Sequence, residues 1–189
     1  MPKNPKNLEI EARFLEIDAK ELKRKLKKLG AKDFGEKLVS EIIFYDKDLT
    51  WLPKRKKFVR MRKVGKEIKL TFKNRLAPGT IDGTEEIEFS VGDWDQTKTF
   101  LERLGLVAYR EQEKKRHTFR LGKVTFDIDT WPRIPTFLEI EGPSESLIRK
   151  SASLLDLDWS DAVFLDARRI IEDIYHIPVG KLKSFKFKV

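Results

Sequence analysis

Charged residues recur at every second position along much of this 189-residue chain. In the stretch LEIEARFL, residues 8–15, Glu9, Glu11 and Arg13 alternate with apolar side chains. A period of two is that of a β-strand, in which successive side chains point to opposite faces of the sheet. Seven charged pairs follow this period: Glu9 and Glu11, Arg60 and Arg62, Lys69 and Lys73 with Thr71 between them, Glu86 and Glu88, Lys114 and Arg116, Asp127 and Asp129, Glu139 and Glu141. The pattern predicts strands that each have one charged face and one apolar face.

The direction of the charged faces depends on which surface the fold buries. A single charged pair on a strand usually marks the solvent side of a half-buried sheet. Helices with apolar stripes of their own need a surface to pack on, and the apolar strand faces can supply it. If helices cover the outside of a closed sheet, the charges point inward. Seven pairs together favour this second arrangement, a tunnel lined by charged side chains.

The full pattern predicts an α+β fold: an eight-stranded antiparallel β-barrel with helices packed on the outside. The strand candidates lie near 7–15, 38–46, 57–64, 67–74, 83–91, 107–120, 122–130 and 136–142. Capping residues followed by apolar residues at helical spacing predict four helices. They begin after Asp18, after Asp93 or Asp95, near Ser144, and at Ser160, the last ending before Pro178.

An internal similarity supports this outline. The tripeptide Glu-Ile-Glu occurs at 9–11, 86–88 and 139–141, each time on a predicted strand that a helix follows. The repetition indicates pseudo-symmetry or an old duplication. Because no low-complexity linker divides the chain, we expect a single domain over 1–189, with a barrel core at about 7–142 and a C-terminal helix and tail at 143–189.

The composition excludes several classes of function. The chain has no cysteine, which excludes disulfides, thiolate catalysis and zinc–thiolate sites. It shows neither an apolar leader nor an apolar run long enough to span a membrane, so we expect a cytoplasmic protein with no membrane partner. The formal net charge of +9 favours a polyanionic partner.

A tunnel of charges implies a ligand. Each unpaired buried charge destabilises a fold by on the order of several kcal/mol, and acidic and basic groups offset one another only in part. Grouped carboxylates are hard oxygen donors suited to Mg²⁺ or Mn²⁺, whereas Arg and Lys suit phosphate oxygens. A polyphosphate bound together with divalent metal ions matches both sets of residues.

At these residues the sequence resembles the CYTH superfamily, the triphosphate tunnel metalloenzymes. The family's first signature is Glu-x-Glu-x-Lys, and EIEARF matches it at Glu9 and Glu11 but has Arg13 in place of the Lys. Further motifs follow in the family's order: FVRMR with Arg60 and Arg62, LTFK with Lys73, EIEF with Glu86 and Glu88, EKKR with Lys114 and Arg116, and FDIDTWPRIPTFLEIEG with Asp129, Glu139 and Glu141. The resemblance covers roughly residues 8–142.

The resemblance implies a barrel that holds a triphosphate group. Carried over to this chain, the metal ligands would be Glu9, Glu11, Glu88, Asp129, Glu139 and Glu141. The triphosphate would be bound by Arg60, Arg62, Lys73, Lys114, Arg116 and Arg13. The catalytic residues would be Glu9, Glu11, Arg13 and Lys73. Glu86 is the alternative to Glu88, and Asp127 and Lys69 match no family motif.

Two enzyme hypotheses and one binding hypothesis follow. The first is a metal-dependent hydrolase of a small-molecule triphosphate, either inorganic triphosphate or an organic one such as thiamine triphosphate. The alternative within the family is a class IV adenylyl cyclase that converts ATP to cyclic AMP and pyrophosphate. The third hypothesis is a non-catalytic binder of polyphosphate or nucleic acid, with nucleic acid the less expected partner. We expect a monomer or a homodimer.

Arg13 is the main departure from the family pattern. Arginine keeps the charge of lysine but does not readily release a proton. If the usual Lys only forms ion pairs, activity is retained. If it transfers a proton, this protein is slow or only binds.

Other residues have simpler interpretations. His117 follows Arg116 and is expected to face away from the charged side. Trp131 is expected to anchor a loop, with stacking on an organic substrate group as the alternative. His176 is expected to pack in a lid, with contact to a base or a thiamine ring as the alternative. The basic run at 23–28 falls on the polar side of a helix, whereas the run at 53–57 could attract an anionic substrate.

Overall fold

The computed structural model describes residues 8–51, 57–77, 79–81 and 83–188, and the strands in them form one sheet. The strands are β1 (Leu8–Glu9), β2 (Glu11–Phe14), β3 (Lys32–Asp46), β4 (Lys57–Val64), β5 (Glu67–Arg75), β6 (Thr84–Val91), β7 (Leu106–Leu121), β8 (Val124–Thr130), β9 (Phe137–Glu141) and β10 (Ser184–Phe185). The helices are α1 (Ala19–Lys28), α2 (Trp94–Arg103), α3 (Glu145–Ser153) and the short α4 (Ala167–Arg169).

The sheet curls until its two edges meet at one segment of chain. The order of paired strands runs β1-β6-β5-β4-β3-β7-β8-β9-β2, and β1 and β2 are separated only by Ile10. One half of this segment pairs with β6 and the other half with β9, both antiparallel. Backbone hydrogen bonds from Glu11 N–H to Ile81 and from Gly142 N–H to Ile10 join the edges further. The result is a barrel-like tunnel, and the predicted α+β class is confirmed.

The predicted strands correspond closely to the observed ones. The first predicted strand is split into β1 and β2, and the second begins at Lys32, six residues earlier than expected. Two-residue turns at Gly65–Lys66 and Gly122–Lys123 join β4 to β5 and β7 to β8. All pairings are antiparallel except that of β10, which runs parallel to β7.

The helices cover the outside of the sheet. Leu22 and Leu26 of α1 and Ile148 of α3 share one apolar cluster with Phe126 and Ile140 from the sheet. Leu101 of α2 belongs to a second cluster with side chains of β3 and β4. Because the outward strand faces bury these apolar contacts, the alternate, charged residues point into the tunnel. Asp18, Asp93 and Ser144 cap the first three helices as predicted.

The fourth predicted helix is wrong in its start and its form. Ser160 lies in a short 3-10 turn, and Val163 pairs with Arg13 in an isolated antiparallel bridge. The helix begins only after Asp166, whose carboxylate accepts hydrogen bonds from the first backbone N–H groups, and it continues as a π-helical turn over Ile170–Ile174. Extended pairing with Arg13 replaces helical turns before Asp166. The tail adds β10 beside β7.

No helix in the described part of the chain is both long and apolar enough to cross a membrane. The basic run predicted to attract substrate at 53–57 lies almost wholly outside the described residues.

Candidate active site

A cavity of about 540 Å³ runs inside the sheet and is lined mostly by charged side chains. Every strand from β1 to β9 contributes at least one lining residue, because alternate residues of each strand face inward. The predicted site residues on this lining are Glu9, Glu11, Arg13, Arg60, Arg62, Lys73, Glu88, Lys114, Arg116, Glu139 and Glu141. The charge alternation in residues 8–15 therefore lines a cavity.

The basic side chains of the tunnel form one wall: Arg60, Arg62, Lys69, Lys73, Lys114 and Arg116. Arg60 stands at its centre, with carboxylates of Glu41, Glu86 and Glu88 at 3.6–3.7 Å. The Nε–H of Arg60 is buried and donates to no acceptor among the described residues. A buried guanidinium with an unused N–H donor is suited to bind an anionic ligand.

The acidic side chains form the facing wall: Glu9, Glu11, Glu86, Glu139 and Glu141. Glu9 and Glu86 both contact Lys73 Nζ, at 2.7 and 2.6 Å. Burial would raise the pKa of Glu9, but the Lys73 ammonium outweighs it, so the pKa lies below its ordinary value. In Glu86 burial prevails and the pKa is raised. The two walls thus meet through Lys73.

Arg13 lies within the acidic wall. Its guanidinium donates two hydrogen bonds to Glu139, at 3.0 and 2.7 Å, and lies 2.8 Å from Glu11. A third hydrogen bond, of 2.9 Å, goes to the backbone carbonyl of Leu165. Burial would lower the pKa of Arg13, but Glu11 and Glu139 raise it. Arg13 is therefore a fixed positive charge that holds two carboxylates in position.

Two carboxylates of the acidic wall have pKa values well above their ordinary value. Burial raises the pKa of Glu11 to about 7, against the influence of Arg13. Partial desolvation raises the pKa of Glu141 to about 7 as well, and the negative charges of Glu9, Glu139 and Glu86 add to the effect. Glu141 makes no ion pair within the described part of the chain. Burial and mutual repulsion therefore disfavour the ionised forms of these two carboxylates.

The chemistry of this donor set fits a divalent cation. Carboxylate oxygens are the ligands that Mg²⁺ prefers, and a cation among Glu9, Glu11, Glu139 and Glu141 would relieve their repulsion. Within residues 8–51, 57–77, 79–81 and 83–188, no three carboxylates converge as a ready-made metal site. The reason is visible in the ion pairs: Glu9 contacts Lys73, and Glu139 contacts Arg13 and Arg116.

Two of the predicted metal ligands, Asp129 and Glu88, lie apart from the other predicted ligands. Asp129 is fully buried outside the cavity lining, and both of its oxygens accept hydrogen bonds of 2.6 Å from Lys114 and Arg116. Glu88 accepts hydrogen bonds of 2.8 Å from Lys69 and Thr71; these outweigh burial and lower its pKa to about 2. Glu86, rather than Glu88, lies within hydrogen-bonding reach of Glu9.

Sequence reasoning missed a buried carboxylate in the basic wall. Glu41 of β3 accepts a hydrogen bond from Arg62 Nε at 3.0 Å and another from Gln112 Nε2 at 2.7 Å, and it is only 3% exposed. Burial would raise its pKa, but Arg60 and Arg62 lower it. The residues two positions before and after Glu41 are the apolar Val39 and Ile43, so no charged pair marked it. Arg110 and Gln112 extend the inward row of Lys114 and Arg116, and that spacing of two was the signal available.

The C-terminal segment covers one end of the tunnel. Arg75 forms an ion pair of 3.1 Å with Asp166, and Arg110 donates to the carbonyl of Val179 at 3.3 Å. Ile171 and Val179 of this segment line the cavity. The chain after α3 therefore contributes to the site.

His117, Trp131 and His176 differ in their positions relative to the tunnel. His117 faces away from the tunnel, as predicted; its ring stacks on Phe119 at 4.6 Å and its Nε2 lies 2.6 Å from Asp33. Trp131 is buried at the covered end of the cavity, beside Phe185 and under the Lys114 ammonium, which favours the anchoring interpretation. His176 is exposed and lies outside the cavity lining.

Fold and site together define a class of protein: a helix-covered, barrel-like sheet whose tunnel pairs an acidic wall with a basic one. The CYTH domain family matches residues 7–153, which is most of the chain, and the chain belongs to this family.

Solved structures share the fold. A protein from Pyrococcus horikoshii OT3 is 28% identical, with a TM-score of 0.69, and the match covers 82% of this chain and 94% of that one. A candidate adenylate cyclase from Vibrio parahaemolyticus is 15% identical, with a TM-score of 0.75 and coverage of 88% and 98%. A candidate adenylyl cyclase from Hippeastrum, described as having a dominant triphosphatase activity, is 14% identical, with a TM-score of 0.62 and coverage of 91% and 99%. No curated protein matches the chain.

Proposed function

We propose that this protein is a metal-dependent triphosphatase, which hydrolyses a phosphoanhydride bond of inorganic triphosphate or of a small organic triphosphate held in the tunnel. The observation that carries the proposal is the meeting of an acidic and a basic wall around one cavity. A polyphosphate bound with Mg²⁺ or Mn²⁺ has charges of both signs and matches both walls. Membership of the CYTH family and the triphosphatase activity of the Hippeastrum protein support the same proposal.

The basic wall would bind and orient the phosphates. Arg60 has a buried Nε–H available for a phosphate oxygen, and Arg62 is oriented by Glu41. Lys73, between Glu9 and Glu86, would contact the phosphates where the two walls meet. Because hydrolysis of a phosphoanhydride needs mainly positioning and charge neutralisation, such fixed donors suffice for most of the catalytic effect.

The acidic wall would hold the metal through Glu9, Glu11, Glu139 and Glu141, with Glu86 beside Glu9. A bound divalent cation supplies neutralisation of phosphate charge and activation of water as a nucleophile. Arg13 keeps Glu11 and Glu139 oriented through its ion pairs and hydrogen bonds. Its raised pKa and its three partners suit a positioning residue and argue against transfer of a proton by Arg13.

The test is release of phosphate from inorganic triphosphate, thiamine triphosphate and ATP, each with Mg²⁺, with Mn²⁺ and with EDTA. We expect metal-dependent phosphate release from at least one of the three. Absence of release from all three with either metal would overturn the proposal and favour a polyphosphate-binding role. Binding of RNA that persists in EDTA and weakens steeply with salt would favour a nucleic-acid binder.

An adenylyl cyclase is the second candidate, because a solved structure with the same fold and a TM-score of 0.75 carries that description. The same phosphate-binding residues could hold ATP while its ribose hydroxyl attacks the α-phosphorus. Following nucleotide products in the same assay separates the two reactions. Cyclic AMP with pyrophosphate identifies a cyclase, whereas ADP with phosphate identifies a triphosphatase.

A further inference from the structure

A bulge in β3 turns one aromatic side chain toward the tunnel mouth that the C-terminal segment leaves uncovered. Asp33 pairs with Phe119 and Glu36 pairs with His117, so Phe34 and Gly35 of β3 together face the single residue Thr118 of β7. Lys37, Val39 and Glu41 of β3 face inward. If the alternation of β3 were unbroken, the even-numbered residues, including Phe34, would face outward. The extra residue reverses the alternation and brings Phe34 to the inner face.

The bulge is held by specific contacts. Gly35 has φ +76°, a conformation that favours glycine. The carboxylate of Asp33 accepts a hydrogen bond of 2.8 Å from the Gly35 N–H, and it lies 2.6 Å from His117 Nε2 and 3.3 Å from Lys27 Nζ. His117 thus has a structural role on the outer face of the sheet. It stabilises the bulge that places Phe34 on the inner face.

Phe34 lines a second cavity of about 280 Å³ that continues from the tunnel. The two cavities share five lining residues: Arg62, Lys69, Arg116, Arg120 and Asp127. Val39 and Val64 add apolar surface, and Thr118 adds a hydroxyl. Since sites for drug-sized ligands occupy roughly 300–1,000 Å³, this cavity is the right size for one ring system next to a phosphate chain.

Two cations now lie over the Phe34 ring, Lys32 Nζ at 5.0 Å and the Arg120 guanidinium carbon at 5.6 Å from its centroid. Both side chains are exposed, and an exposed cation–π contact contributes only about 0.5–1 kcal/mol. Stacking of a heteroaromatic base on an aromatic side chain contributes about 1–3 kcal/mol. A ligand ring can therefore replace the Lys32 contact with a net gain.

We propose that this mouth cavity binds the planar aromatic group of an organic triphosphate, with Phe34 as the stacking surface, while the tunnel holds the phosphates. The inference rests on the proposed function and narrows its substrate class to a triphosphate ester of a heteroaromatic compound. Inorganic triphosphate would occupy the tunnel alone. Phe34 is then a specificity-determining residue outside the phosphate site.

The test compares Phe34→Ala and Phe34→Trp with the parent protein, and uses Phe100→Ala on the outer face of α2 as the matched control, since Phe100 is also an exposed phenylalanine. For ATP or thiamine triphosphate, whichever is the better substrate, we expect Phe34→Ala to lower kcat/KM about fivefold to a hundredfold. For inorganic triphosphate it should change by less than about twofold. Phe34→Trp should retain the preference, and Phe100→Ala should have no effect on either substrate.

Calorimetric binding of the same compounds in EDTA separates this inference from the proposed function. If no compound is hydrolysed but ATP or thiamine triphosphate binds more tightly than inorganic triphosphate, and only Phe34→Ala removes the difference, the triphosphatase fails and the cavity assignment stands. If inorganic triphosphate is hydrolysed while neither organic compound binds, or if Phe34→Ala affects all substrates equally, the cavity assignment fails.

Discussion

The two walls of the tunnel carry similar numbers of charges but differ in how well those charges are satisfied. On the basic wall, Lys73 and Arg116 are each held by two or three carboxylates. On the acidic wall, Glu11 and Glu141 have pKa values raised to about 7, and Glu141 has no ion-pair partner among the described residues. The less well satisfied side chains thus lie on the acidic side, where a divalent cation would stabilise their ionised forms, although the whole chain is basic.

The largest expected effect follows from changing Glu9 on the acidic wall. Glu9→Gln keeps the shape of the side chain but removes a charge that contacts Lys73 and would bind metal. We expect metal-dependent phosphate release to fall by about a hundredfold to a thousandfold, the range typical for loss of one preorganised electrostatic group. The folded state should persist in thermal unfolding, because Lys73 keeps its second contact, with Glu86 at 2.6 Å.

The control for this change is Glu111→Gln, on an exposed residue of the same sheet that pairs with Lys186 on the surface. It should leave turnover unchanged. Near-parental activity of Glu9→Gln, with Glu139→Gln equally active, would contradict the metal role of the acidic wall.

The basic wall should be sensitive to loss of the buried Glu41 carboxylate. Glu41→Gln leaves Arg60 and Arg62 without their shared counter-charge, and breaking a buried ion pair lowers the free energy of unfolding by about 3 kcal/mol. Inorganic triphosphate should restore much of this loss, because its oxygens supply the missing negative charge. Thermal unfolding with and without triphosphate measures both effects. A smaller triphosphate-induced increase in Tm for the variant than for the parent would contradict the prediction.

Arg60 and its neighbour Lys63 offer a matched pair on one strand. Arg60 faces the tunnel, whereas Lys63 is exposed on β4. Arg60→Ala should lower kcat/KM for triphosphate about a hundredfold, since it removes a charged donor to the transferred group. Lys63→Ala should have an effect within about twofold in the same steady-state assay. Equal effects of the two changes would show that the wall acts only through long-range charge.

The smallest expected effect is a pH dependence of stability in EDTA. The folded-state pKa values of Glu11 and Glu141, about 7, exceed the ordinary value of 4.5, so the folded state binds more protons between these limits. Stability attributable to these groups should therefore fall as pH rises from about 4.5 to about 7. Glu141→Gln should flatten this fall, and Mg²⁺ should reduce it in the parent protein. Parallel Tm profiles for the parent and Glu141→Gln over this range would contradict the prediction.

Local pattern was enough to predict most of the framework. Alternation of charged and apolar residues located the strands, and Asp18, Asp93 and Ser144 marked the helix starts, because side-chain period and capping depend on residues close in the chain. The same alternation put Glu9, Arg60, Lys73 and Glu139 on the inner face. Glu41 was not predicted because no second charged residue lies two positions before or after it.

The tertiary structure decided what depends on distant partners. Arg13 pairs with Val163 and bonds to Leu165, so the chain before Asp166 is extended where apolar spacing predicted a helix. Asp129 turns to Lys114 and Arg116 and leaves the cavity lining. Phe34 reaches the tunnel mouth only because β3 gains a residue against β7. The sequence by itself determined which residues alternate; the long-range strand pairing determined which of them meet, because register and bulges are properties of two strands together.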